Sequence, residues 1–248
     1  MQEKIAANLS RIQDNIAEAC EKAGRTVDEI TLIAVTKSVG LEGIQSLLDL
    51  GQADLGESIV QDLGQKIKDL QESFTPKLEP PGATVPSQPV QPRWHMIGHL
   101  QRNKVKPILK SVEMIHSVDS LRLAEEINTT AARIGLNHRV KILLQVNTSK
   151  EKQKYGLAVG AVNALADQIM TLPNLEICGL MTMAPLTEDK EVCRFCFTRL
   201  REVFEELRGE KIVGQSFRHL SMGMTQDYPG AIEAGATMVR IGSALFES

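Results

Sequence analysis

Eight short runs rich in aliphatic and β-branched residues recur along this chain, and a stretch with helical spacing follows most of them. The runs are Thr31–Lys37, Ala53–Ser58, Arg93–Gly98, Met114–Val118, Val140–Asn147, Leu175–Met183, Phe217–Gly223 and Met238–Phe246. Between them, segments such as Gly43–Asp49, Ser120–Ile134, Val159–Thr171 and Glu191–Arg208 carry one apolar face and charged outer positions. Strand–helix alternation on this scale builds a parallel sheet covered by helices. Eight repeats over 248 residues predict an α/β fold, a single (β/α)8 TIM-like barrel spanning 1–248. A doubly wound open sheet is the alternative. The two differ in one contact: the first run, ending at Lys37, and the last, carrying Arg240, become neighbours only if the sheet closes.

Two segments lie outside this rhythm. Ile5, Leu9, Ile12, Ile16 and Cys20 are spaced by three or four residues and Gly24 follows, which predicts an extra amphipathic helix at the amino end. The stretch 74–92 contains Pro76, Pro80, Pro81, Pro86, Pro89 and Pro92, so it is expected to be a proline-rich loop insertion.

Composition removes several classes of function. A net charge of −3 leaves no electrostatic footprint for nucleic acid or an anionic membrane. The basic cluster Arg102, Lys104, Lys106 and Lys110 has no interleaved aromatics in a chain with 4% aromatic residues, which fits a solvated helix face. No apolar stretch approaches the roughly 20 residues that span a bilayer, and the start lacks a signal-peptide core, so a cytoplasmic location is expected. Four scattered cysteines do not make a disulfide scaffold. Cys193 and Cys196 have the spacing of half a metal or redox site, yet they fall inside a helical run without a second pair, which favours packing. His95 and His99 are separated by a strand–turn boundary and lack a third ligand, so hydrogen-bonded structural roles are expected and no metal site. Walker and Rossmann glycine patterns are absent.

The remaining chemistry converges on one ligand. Lys37 closes the first run, and Ser221-Met222-Gly223-Met224-Thr225 and Val239-Arg240-Ile241-Gly242-Ser243 close the last two. Backbone N–H groups freed at Gly223 and Gly242, with hydroxyls from Ser221, Thr225 and Ser243, suit a phosphate dianion. One amine beside phosphate-sized cups predicts a pyridoxal 5'-phosphate site at the carboxyl rim of the barrel, which Ser58 also reaches.

Ala34-Val35-Thr36-Lys37, Gly56-Glu57-Ser58-Ile59-Val60-Gln61, the run from Trp94 to Lys104, Gly179–Met183, Ser221–Asp227 and Val239–Ser243 together resemble the pyridoxal phosphate homeostasis proteins, the YggS/PROSC family. The resemblance spans nearly the whole chain. It implies a barrel like the amino-terminal domain of alanine racemase, a Schiff base on Lys37, Arg240 facing the pyridine nitrogen, and a role in vitamin B6 and amino-acid balance without an established reaction. The family usually has asparagine at Ser58, which implies a shorter or water-bridged contact near the cofactor's phenolic oxygen. Alanine racemases also resemble two-domain machines in which a second domain supplies a tyrosine acid/base. Here the only tyrosines are Tyr155 and Tyr228 and the sequence ends at Ser248, so a non-catalytic carrier is the favoured reading. A small racemase is the alternative, and a cofactor-free Schiff-base lyase is a third. The expected partners are the cofactor and the apo-enzymes that use it, and a monomer is expected.

Overall fold

Residues 1–74, 90–149 and 155–247 are described by the computed structural model, residue 74 by its backbone alone. The proline-rich insertion therefore lies largely outside the described residues.

The strands are β1 (Thr31–Val35), β2 (Asp54–Glu57), β3 (Arg93–Met96), β4 (Val112–Val118), β5 (Val140–Asn147), β6 (Leu157–Ala158), β7 (Leu175–Met181), β8 (His219–Ser221) and β9 (Met238–Ile241). All pairings are parallel. β1 lies between β2 and β9, and β4 pairs with β5, so eight strands close on themselves. The open-sheet alternative is thereby excluded. The short β6, unanticipated from the sequence, pairs only with β5 and stands outside the barrel circuit.

The helices are α1 (Gln2–Lys22), α2 (Leu41–Asp49), α3 (Val60–Phe74), α4 (Val105–Ile108), α5 (Leu121–Arg133), α6 (Val162–Met170), α7 (Lys190–Gly209), α8 (Tyr228–Glu233) and α9 (Ser243–Phe246). Their starts follow local chemistry. Ser120 Oγ accepts from the Leu123 N–H at the head of α5, and Asp189 Oδ1 accepts from the Glu191 N–H at the head of α7, each satisfying an otherwise unpaired amide. One sequence expectation is corrected: the final run was expected to be extended to Phe246, but the strand ends at Ile241 and Ser243–Phe246 coils into a helical turn.

Side chains alternate along each strand, which divides the apolar residues into two populations. A large shell, including Ala34, Leu55, Trp94, Ile115, Val239 and Ile241, packs against the helices. A small separate cluster of Ile33, Met114, Leu143, Cys178, Met181 and Met238 fills part of the barrel interior. α1 covers the seam near β9: Asn8 Nδ2 donates to the Leu245 and Glu247 carbonyls, and Asn15 Nδ2 to the Tyr228 hydroxyl. The extra helix thus anchors α8 and α9, which carry one side of the carboxyl mouth. The four cysteines are buried, and Cys193 and Cys196 sit on the inner face of α7.

Candidate functional site

Closure of the sheet brings the two ends of the chain's strand series together. The β1–β9 register places Ile33 beside Arg240 and Ala34 beside Ile241, so Lys37 and the Gly242-Ser243 turn emerge from adjacent strands. They share a cavity of about 690 Å³ at the carboxyl mouth. Val35, Lys37, Ser58, Thr225, Arg240, Gly242 and Ser243 all line it.

Lys37 is exposed to this cavity and has no ion-pair partner among the described residues. Its strand end is braced from behind by groups that sequence reasoning missed. Thr36 Oγ1 donates to Glu57 Oε1 at 2.6 Å, and Lys66 Nζ donates to the same oxygen at 2.5 Å and to the Thr36 carbonyl at 2.6 Å. Glu57 is fully buried, so this pair fixes the backbone that launches Lys37. Nothing local marks Glu57 as structural, because its partner lies nine residues on and a turn of chain away.

Across the mouth, Ser243 Oγ donates to Thr225 Oγ1 at 3.2 Å, pairing the two hydroxyls of the expected cups. Gly223 stands behind them at φ +92°, and a Cβ there would lie 2.6 Å from the Ala231 Cβ, so glycine is required on two counts. Gly223 does not itself line the cavity; its carbonyl accepts from the Arg240 N–H and secures β9. On the opposite side Gly98 approaches the Ser58 carbonyl so closely that a Cβ would overlap it, which sets the position of Ser58.

Ser221 is placed differently from the sequence expectation. It is fully buried and does not line the cavity. Its hydroxyl accepts from Arg240 Nη1 at 2.6 Å and lies 2.9 Å from His116 Nδ1, while Arg240 Nη2 donates to the Thr182 carbonyl at 2.9 Å. Alternation along the short β8 turns Ser221 into the barrel, where its hydroxyl meets the guanidinium below the rim cavity. Burial of Arg240 pushes its pKa down to about 10, still far above neutrality, so it remains a cation at the cavity wall.

His99 and Tyr155 also line the mouth, stacked with centroids 4.1 Å apart, and His99 Nδ1 lies 3.5 Å from Asp119 Oδ2. His95 points instead into the barrel, so the two histidines flagged by spacing do not meet. Asp227, lining the other side, has its pKa raised by burial although it accepts the Met224 N–H. An unpaired amine, paired hydroxyls and a fixed cation form a donor set suited to a small phosphorylated carbonyl compound.

The comparisons agree with this chemistry. The family model "Alanine racemase, N-terminal domain" matches residues 7–248. The pyridoxal phosphate homeostasis protein of Aquifex aeolicus is 37% identical over 238 residues, covering 96% of this chain and 95% of that one. Its Escherichia coli K12 counterpart is 35% identical over 242 residues, covering 98% and 95%. The structure of PipY from Synechococcus elongatus PCC7942 with PLP bound superposes with a TM-score of 0.75 at 30% identity, covering 93% of this chain and 99% of that one. An alanine racemase from Clostridium difficile shares the barrel alone, with a TM-score of 0.69 at 16% identity over 98% of this chain and 56% of that one. With a lysine, a hydroxyl pair and a guanidinium gathered at one mouth and relatives matched from end to end, this chain belongs to the pyridoxal phosphate homeostasis protein family, built on the alanine racemase amino-terminal barrel.

Proposed function

We propose that this protein binds pyridoxal 5'-phosphate at the carboxyl mouth and serves intracellular vitamin B6 and amino-acid homeostasis as a carrier, the chain acting as one cofactor-binding unit. The observation that carries the reading is Lys37, an exposed amine without an ionic partner among the described residues, lining one cavity with Ser243 and Thr225. Pyridoxal phosphate supplies an aldehyde electrophile and an electron-withdrawing ring. Lys37 offers the amine that captures the aldehyde, and Thr225, Ser243 and the Gly242 backbone donate to the phosphate. Ser58, which lines the same cavity, would stand near the ring. Arg240 would present N–H donors to the ring nitrogen; a group that only donates would leave that nitrogen unprotonated and the ring a weak electron sink. Weak electron withdrawal favours holding the cofactor over turning substrates over.

Tyr155 lines the cavity, but it is more than half exposed and stacks on His99, so no enclosed proton donor faces Lys37 from its ring. This supports the carrier over the racemase. The recipients are proposed to be cofactor-requiring apo-enzymes, the protein a cytoplasmic monomer. No helix among the described residues is long and apolar enough to cross a membrane.

The test is absorbance of the purified protein with added pyridoxal phosphate. A yellow band that borohydride bleaches, leaving a pyridoxyl group on Lys37 by mass spectrometry, is the expected result, with at least a hundredfold loss of affinity in Lys37→Ala. A protein that stays colourless at millimolar cofactor overturns the reading. Loss of α-deuterium from labelled alanine that depends on Lys37 would establish the racemase instead.

A further inference from the structure

Between the two mouths of the barrel runs an unbroken line of polar side chains. From the amino end, Asp54 Oδ1 lies 3.1 Å from His95 Nε2, His95 Nδ1 lies 2.9 Å from His116 Nε2, and His116 Nδ1 lies 2.9 Å from Ser221 Oγ. Ser221 Oγ then accepts from Arg240 Nη1 at 2.6 Å, and Arg240 forms part of the cavity wall. His95, His116, Ser221 and Arg240 are all at most 3% exposed. Buried polar groups on this scale are costly unless each is satisfied, and here each link satisfies the next.

The two ends decide where the protons sit. Arg240 can only donate. Asp54 is the other terminus: although burial opposes its ionisation, hydrogen bonds from His95 and Arg93 hold its pKa down to about 2, so at neutral pH it can only accept. Burial, ahead of any neighbouring charge, keeps His116 neutral. With a donor at one end and an acceptor at the other, each intermediate group accepts on the Arg240 side and donates on the Asp54 side. Ser221 O–H donates to His116 Nδ1, His116 Nε2–H to His95 Nδ1, and His95 Nε2–H to Asp54. The reverse direction requires a doubly protonated His95 within a barrel that already buries Arg240, and it leaves the Ser221 hydroxyl proton without an acceptor among the described residues.

We propose that Asp54, His95 and His116 are positioning residues that act through Ser221 to fix the direction and polarity of Arg240 at the cofactor ring, so that a carboxylate at one mouth orients a cation at the other. The chain's direction does not depend on what fills the cavity; its bearing on the cofactor rests on the function proposed above. Arg93, which pairs with Asp54 from the solvent side, is a support and not a link.

Nitrogen-15 NMR of the cofactor-free protein at neutral pH tests the chain by itself. Both buried imidazoles are expected as neutral rings protonated at Nε2. In Asp54→Asn the acceptor becomes ambiguous, so His95 is expected to redistribute between tautomers and His116 to follow, with about tenfold weaker pyridoxal phosphate binding and a displaced absorption band. Asp54→Glu is expected to restore both. Arg93→Met removes a half-exposed partner but leaves the acceptor, and it is expected to keep both tautomers, which separates a relay from general support of the fold. A His116 ring protonated at Nδ1, a doubly protonated His95, or tautomers unchanged in Asp54→Asn would each overturn the proposal. If the tautomers behave as expected while no cofactor binds, the chain stands and the cofactor reading is what fails.

Discussion

The two mouths of the barrel enclose cavities of similar size, about 690 Å³ at the carboxyl end and about 650 Å³ at the amino end, and they treat charge in opposite ways. At the amino mouth, cations and anions neutralise one another: Arg93 forks onto Asp54, Lys141 Nζ reaches Glu113 Oε1 at 2.5 Å, and the Ser216 hydroxyl donates to Glu176. At the carboxyl mouth, among the described residues, Lys37 has no ionic partner and the hydroxyls of Ser243 and Thr225 meet each other. A surface that has satisfied its own charges is a closed end of a fold. One that holds donors in reserve is prepared for an anion, and here the backbone of Gly242, which lines the cavity, adds to that reserve.

Substitutions that erase this asymmetry are expected to have graded effects. The Lys37→Ala loss given above is the largest. Next, Ser243→Asp places a carboxylate where the phosphate is to sit; affinity for pyridoxal phosphate is expected to fall about tenfold, more steeply at low salt, while unchanged affinity in a titration would show the phosphate lies elsewhere. A pH series probes the amino mouth. Burial, with the charges of Arg218 and Lys141, lowers the pKa of His219 to about 4, against roughly 6.5 in an unfolded chain. The unfolded chain then binds more protons between those values, so stability is full above pH ~6.5 and declines as pH falls towards 4. Asp54, held at about 2, adds a further loss below about pH 4, where its unfolded counterpart begins to protonate. Denaturation midpoints should trace both steps, and His219→Asn should flatten the upper one by about one proton. The smallest effect is expected from Lys141→Met: its pair with Glu113 is well exposed on both sides, so stability should change by less than about 1 kcal/mol and cofactor affinity not at all. A strong binding defect there would dissolve the distinction between the mouths.

The strand runs were legible because each is a local signal, an apolar stretch bounded by turn residues. The helical stretches Ser120–Ile134 and Glu191–Arg208 were legible for the same reason, each showing one apolar face. Lys37, Thr225, Arg240, Gly242 and Ser243 were legible as chemistry that recurs at strand ends. The last strand was overextended because Ala244, Leu245 and Phe246 are apolar in either conformation, and only contact with α1 through Asn8 reveals the helical turn. Ser221 was assigned to the rim because its segment reads as a phosphate cup; its direction depends on where β8 begins, a matter of pairing with β7 and β9. Glu57 and His116 gave no readable sign, since their partners are brought to them by closure of the sheet.

By itself, the order of residues determined that eight parallel strands alternate with helices, that an extra helix precedes them, and that an amine and two hydroxyl-bearing turns stand at strand ends, because periodicity and turn chemistry are written in neighbouring positions. Only the tertiary structure decided that β1 meets β9, that Ser221 faces inward to Arg240, and that Asp54, His95 and His116 align through the interior. Those are contacts between residues up to 207 positions apart, as Thr31 is from Met238, and their geometry follows from strand register and closure, which no local pattern encodes.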